Sequence, residues 1–167
     1  MGETLTKSDV RKIEEEIEYR KLTVRKEAIA AVKEARAHGD LSENFEYHAA
    51  KRDKNKNESR IRYLERMLKT AHIVSDVSRD GEVGLNNIVE VYFEDDDETE
   101  TYKIVTSIRG NSMSGKISIE SPMGKALLGK KEGDRVYVKV NENTGYYVVI
   151  RSVKNTTEDA DDKIRGF

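Results

Sequence analysis

From Thr6 to about Ala37 the chain contains neither proline nor glycine, and a second breaker-free run follows from Phe45 to Ala71. Only the short polar knot His38-Gly39-Asp40-Leu41-Ser42-Glu43-Asn44 separates them. Two runs of similar length joined by a few turn-forming residues predict an antiparallel helical hairpin, with the knot as its tip. At about 1.5 Å rise per residue, some 30 helical residues make each arm roughly 45 Å long.

The caps and the seam support this reading. Thr6 with Asp9 three residues later resembles a capping box opening the first helix, and Gly39 supplies the backbone freedom to leave it. Ser42 or Asn44 can cap the second helix, where Glu43 and Glu46 face the positive end of its dipole. Apolar residues recur at Val10, Ile13, Ile17, Val24 and Ala31, although Arg20 and Glu27 stand where a strict heptad wants apolar groups. On the second run Tyr47, Ala50, Lys54, Asn57, Ile61, Leu64, Leu68 and Ala71 alternate steps of three and four. Seam residues near the knot are small or polar, whereas Ile61, Leu64 and Leu68 lie near the base. The hairpin is therefore expected to be held at its base and thin at its tip.

After Ala71 the periodicity changes. Asp80-Gly81 and Gly84 precede Ile88-Val89-Glu90-Val91-Tyr92-Phe93, and further β-rich runs lie at Thr101 to Ile108, Lys116 to Glu120, Arg135 to Val140 and Tyr146 to Val153. Met123 to Gly129, after the only proline, Pro122, reads as one short helix. The expected fold class is α+β: a helical hairpin over 1–74, then a small antiparallel sheet with one helix over 75–155. Residues 156–167 form an acidic tail poor in core formers, expected to be disordered.

Charge divides along the same line. Residues 1–74 hold 17 Lys and Arg against 14 Asp and Glu, while the remainder holds 13 against 18. No cysteine occurs, which excludes disulfides, thiolate metal sites and a cysteine nucleophile. No stretch approaches the roughly 20 apolar residues of a membrane helix, and no signal-peptide run opens the chain, so a soluble, cytoplasmic protein is expected.

The chemistry in view lies at the tip. Asp40 and Glu43, three residues apart at a helix start, can point the same way and share one divalent cation. Magnesium takes one or two protein carboxylates and fills its other sites with water and phosphate oxygens, so the pair alone is an incomplete site. By spacing alone, such acids are more often capping and solvated groups. Arg36 before the knot and Lys51, Arg52, Lys54 and Lys56 after it form a positive collar able to steer a phosphate backbone. Phe45 and Tyr47 can stack on a base, though Tyr47 falls on the seam, where packing is an equal reading. His38 and His48 read as loop residues rather than ligands. No phosphate-binding glycine loop or catalytic triad stands out.

The stretch from Glu34 through Gly39-Asp40-Leu41-Ser42-Glu43-Asn44 to Lys51 resembles the signature of the bacterial GreA/GreB transcript cleavage factors. A second stretch, Ser121-Pro122-Met123-Gly124-Lys125 through Asp134, resembles that family's C-terminal signature, and the resemblance spans about residues 4–153. It implies an N-terminal antiparallel coiled coil and a C-terminal FKBP-like domain. It further implies that RNA polymerase is the partner, together with the nascent RNA 3′ end and the DNA of the elongation complex. On this resemblance the globular domain docks at the rim of the secondary channel, with Ser121, Pro122, Met123, Gly124 and Lys125 as docking candidates. Asp40 and Glu43 then help hold a shared Mg²⁺, so that the polymerase cleaves its own backtracked RNA. Arg36 and Tyr47 match positions near the RNA end, and Lys51, with Arg52 beside it, matches a basic position.

The protein would thus be a monomeric catalytic cofactor rather than an enzyme. The modest collar favours the GreA-like subtype, which suits short backtracked fragments. Phe45 where a small residue is usual, Ser59 for a usual glycine and Asn141 to Gly145 for a common turn depart from the pattern. Three rival readings stand beside this one: a channel-binding inhibitor on the same scaffold, a peptidyl-prolyl isomerase suggested by the FKBP-like resemblance, and a coiled-coil scaffold. The isomerase lacks the expected aromatic-lined pocket, and the polar tip-proximal seam ill suits a scaffold.

Overall fold

A computed structural model describes residues 2–39, 44–156, 164 and 166. The expected disorder of the tail therefore falls almost wholly outside the described residues. The chain divides into two compact units, one built chiefly on Ser8–His72 and the other on the residues from Ile73 onward. Ahead of the first helix lies a short strand, β1 (Thr4–Leu5), paired with β2 (His72–Ile73).

The first unit is the helical pair. Its first arm is α1 (Lys7–Tyr19), a turn of π-helix over Arg20–Val24, and α2 (Arg25–Arg36); its second arm is α3 (Phe45–Thr70). The arms are antiparallel, since partners on α3 fall in number as those on the first arm rise: Glu16 meets Arg60, Arg20 meets Asn57, and Ala35 meets Asn44. On α3 the buried positions are Asn57, Arg60, Ile61, Leu64 and Met67. Spacings of three and four place them on one face. Leu68, expected on the seam, is only half-buried, and Met67 is buried in its stead.

The first arm corrects the seam further. Ala31, expected to face the partner helix, is exposed, whereas Ala28 and Val32 are half-buried and Ala35 is buried. The cause is the π turn, in which the Arg25 N–H bonds the Arg20 carbonyl five residues back. Such a turn absorbs one extra residue, so every position beyond it changes phase relative to an unbroken α-helix. It is anchored across the hairpin, because Asn57 Nδ2 also donates to the Arg20 carbonyl at 3.3 Å and Arg20 Nη1 donates to Asn57 Oδ1 at 3.0 Å.

A polar layer therefore crosses the hairpin where the heptad pattern faltered. Glu16 accepts from Arg20 Nε at 2.7 Å and from Arg60 Nε and Nη2 at 2.9 and 3.3 Å. Arg25 makes a two-pronged pair with Glu58 at 2.8 and 2.9 Å. Toward the base lie the buried apolar side chains Ile13, Ile61, Leu64 and Met67; toward the tip, among the described residues, only Ala35 is a buried hydrophobic residue. Small residues let backbones approach, and α2 packs along α3.

The second unit carries a five-stranded sheet in the order β5-β4-β3-β7-β6, from β3 (Ile88–Phe93), β4 (Glu98–Val105), β5 (Lys116–Ser118), β6 (Arg135–Lys139) and β7 (Gly145–Lys154). Its pairs are antiparallel except β4 with β5, which run parallel through Lys103↔Lys116 and Val105↔Ser118. The sheet is mixed, not purely antiparallel, because two single-turn 3₁₀ segments, Ser107–Arg109 and Ser112–Ser114, carry the chain between β4 and β5. Alternation along the strands buries Val89, Val91, Val136, Val138, Val148 and Ile150. Helix α4 (Pro122–Leu127) adds Met123 and Leu127 to the same core.

Candidate functional site

Asp40 and Glu43 lie outside the described residues, so the site is built from the groups that bracket them. On one side the first arm ends conventionally: the Ala37 and His38 N–H groups bond back to Lys33, Glu34 and Ala35 carbonyls, and Gly39 follows at φ 114°. That left-handed conformation suits a residue without Cβ. On the other side Asn44 begins α3. Its Oδ1 accepts the Tyr47 N–H at 3.0 Å, an N-cap, and its Nδ2 donates to the Ala35 carbonyl at 2.7 Å. One side chain thus closes the helix start and ties it to the end of α2. Serine or threonine would supply the cap, but only an amide also carries the N–H₂ for the tether. Sequence reading found the cap and missed the tether, for which the choice of Asn over Ser was the available signal.

Arg36 and Tyr47, both anticipated at the site, meet: the Arg36 Cζ lies 5.9 Å from the Tyr47 ring centroid. The phenol of Tyr47 is held below its ordinary pKa, first by a hydrogen bond from Arg36, with Lys51 and Lys54 adding favourable charge and slight burial opposing. His48 packs edge-on to Tyr47, with centroids 5.5 Å apart. Lys51 and Arg52 are exposed, one and more than one turn further along α3. Phe45, the first residue of that helix, is 88% exposed. The described end of the hairpin is thus a cationic, aromatic surface flanking two carboxylates in the chain. Among the described residues no group of three metal-ligating side chains is present.

The second anticipated stretch has a structural role that spacing did not reveal. Ser121 Oγ accepts the Gly124 N–H at 3.0 Å and donates to the Ser118 carbonyl at 2.6 Å. Pro122 occupies the first turn of α4, where no intrahelical N–H is required. A Cβ on Gly124 would lie 1.9 Å from the Ser118 carbonyl oxygen, so glycine is demanded there by close backbone approach. Met123 and Gly124 are buried, and only Pro122 and Lys125 of the five are exposed.

A polar-layered helical hairpin whose far end gathers Arg36, Tyr47 and Asn44, accompanied by a mixed-sheet unit, defines a two-part α+β chain. Residues 3–73 match the GreA_GreB_N family, described as transcription elongation factor, N-terminal, and residues 78–155 match GreA_GreB, the C-terminal part. The chain is 43% identical over 148 residues to transcription elongation factor GreA of Magnetococcus marinus, covering 87% of this chain and 94% of that protein. It is 48% identical over 138 residues to the GreA of Thermoanaerobacter pseudethanolicus, covering 81% and 87%. Among solved structures it is similar to the transcription factor Gfh1, at 27% identity and a TM-score of 0.46, covering 92% and 97%. The chain belongs to the GreA/GreB family of transcription elongation factors.

Proposed function

We propose that this protein binds bacterial RNA polymerase, inserts its helical hairpin into the secondary channel, and stimulates the polymerase's own cleavage of backtracked RNA. The observation that carries this reading is the bracketing of Asp40 and Glu43 by Asn44, Arg36 and Tyr47. Asn44, the residue after Glu43 in the chain, secures the start of α3, while Arg36 and Tyr47 bring a guanidinium and an aromatic face together at that same helix start. Arginine can neutralise an RNA phosphate and tyrosine can stack on a base. Asp40 and Glu43 would hold a Mg²⁺ shared with the polymerase, and two carboxylates suit an ion that keeps its remaining sites for water and phosphate. Bound there, the metal supplies charge stabilisation and an activated water for phosphodiester hydrolysis. The protein is a cofactor in this scheme and the polymerase the enzyme, with short backtracked fragments as the preferred substrate.

The test is RNA release from stalled, backtracked elongation complexes with Mg²⁺, comparing the parent with Asp40→Ala/Glu43→Ala. Stimulated release of short RNAs by the parent alone is expected. Occupancy of the polymerase without stimulation by the parent would overturn the cleavage role and make the protein a channel-binding inhibitor.

A further inference from the structure

The sheet unit holds a cavity of about 240 Å³ that the elongation-factor reading does not use, where β3 ends and β7 begins, beside the turn into β4. Phe93, Tyr146 and Tyr147 supply rings to its wall, and Asp95 and Asp96 supply carboxylates. Phe93 and Tyr146 are stacked at 5.9 Å between centroids, and both are half-buried. Ordinary ligand pockets for drug-sized molecules start near 300 Å³, so this one suits a single side chain. We propose that it receives an arginine side chain presented by a partner protein.

Charge complementarity selects that occupant. The turn reads Glu94-Asp95-Asp96-Asp97-Glu98, and its acids divide sharply by partner. Glu94 is taken by Arg135 in a two-pronged pair at 2.8 and 3.0 Å, and Asp97 accepts the Tyr92 hydroxyl at 2.7 Å. Asp95 and Asp96 are exposed, and among the described residues no cation meets them. A guanidinium fits better than an ammonium because it stacks flat on rings while donating in two directions to carboxylates. The same unit already uses that contact twice: Arg135 lies 3.7 Å from the Tyr147 ring centroid and Arg151 lies 4.5 Å from that of Tyr92. The acids repel phosphate, which disfavours nucleic acid and anionic lipid and leaves a protein as the source of the arginine.

The full chain, labelled with ¹⁵N, is titrated with acetyl-Gly-Arg-Gly-amide and with the same peptide carrying citrulline, its neutral isostere. Amide shifts confined to residues 93–96 and 146–147 are expected, saturating at peptide concentrations up to roughly 10 mM. Citrulline should bind roughly tenfold more weakly, and Asp95→Asn/Asp96→Asn should abolish the difference between the two peptides. Tyr146→Leu, with Asp95 and Asp96 intact, should weaken the arginine peptide too. Equal responses to both peptides, an unaltered response in the Asp95/Asp96 variant, or shifts only elsewhere would overturn the proposal.

Discussion

Replacing Glu16 by leucine should cost about 3 kcal/mol of helical-hairpin stability. Glu16 is the shared acceptor of the polar layer, with Arg20 Nε at 2.7 Å and Arg60 Nε and Nη2 at 2.9 and 3.3 Å. Exposure decides the size: the Arg60 side chain is 4% exposed and that of Glu16 20%. A solvated pair would be worth under about 1 kcal/mol, and stranding a fully buried charge costs about 3–5 kcal/mol. A buried arginine facing a slightly exposed carboxylate falls at the lower end of the second range. Urea unfolding followed by circular dichroism at 222 nm reads mainly this helical unit. The double variant Glu16→Leu/Arg60→Met should recover at least half of the loss, since the buried guanidinium then leaves with the carboxylate it faced. The pH dependence has a fixed sign. Burial acts to raise the Glu16 pKa, but hydrogen bonds and charge from Arg60 and Arg20 outweigh it and the carboxyl ends below its ordinary value. Its contribution is therefore complete above the unfolded glutamate value of about 4.3 and is lost as pH falls through the lower folded value. A loss under about 0.5 kcal/mol at pH 7 with no coupling to Arg60 would refute the buried-layer argument.

Other perturbations test other parts of the structure. Asn44→Ala should cost about 2 kcal/mol, half from the cap and half from the Ala35 tether, whereas Asn44→Asp should keep the cap and lose only the tether, as read by thermal melting of the helices. Arg36→Met should return the Tyr47 phenol toward its ordinary value, visible as a rightward shift of its ultraviolet titration. Leu64→Ala, at a fully buried position of the hairpin base, should cost about 2–5 kcal/mol by urea unfolding. Gly124→Ala should cost more than about 3 kcal/mol in the sheet unit, because its Cβ would strike the Ser118 carbonyl, and amide exchange at Val136 and Val148 would report it.

Two helices, a capped turn and a strand-rich second half were legible from local pattern, because helix periodicity, glycine and proline placement and strand alternation are properties of neighbouring residues. So were the groups flanking the tip, since Arg36, Asn44 and Tyr47 lie within a dozen residues of one another. What local pattern could not supply were the contacts between distant segments. The phase shift that exposes Ala31 and half-buries Ala28 and Val32 follows from a π turn anchored by Asn57, 37 residues away from Arg20. The apparent heptad defect Arg20 and the polar seam residue Asn57 are partners across the hairpin, and periodicity scores each arm alone.

The same limit applies in the sheet unit. Ser121-Pro122-Met123-Gly124 was recognisable as a signature, yet only the approach of Gly124 to the Ser118 carbonyl explains its glycine. The parallel β4–β5 pair depends on how a 3₁₀-rich connection returns, and the aromatic cavity needs Phe93 and Tyr146, 53 residues apart, to be brought together by strand pairing. By itself the sequence determined the long helices, the main strands and the Asn44 cap, because those are set by short-range sterics and hydrogen bonding. Only the tertiary structure decided the seam phase, the buried polar layer, the mixed sheet and the pocket, because each is a choice of partner among distant groups.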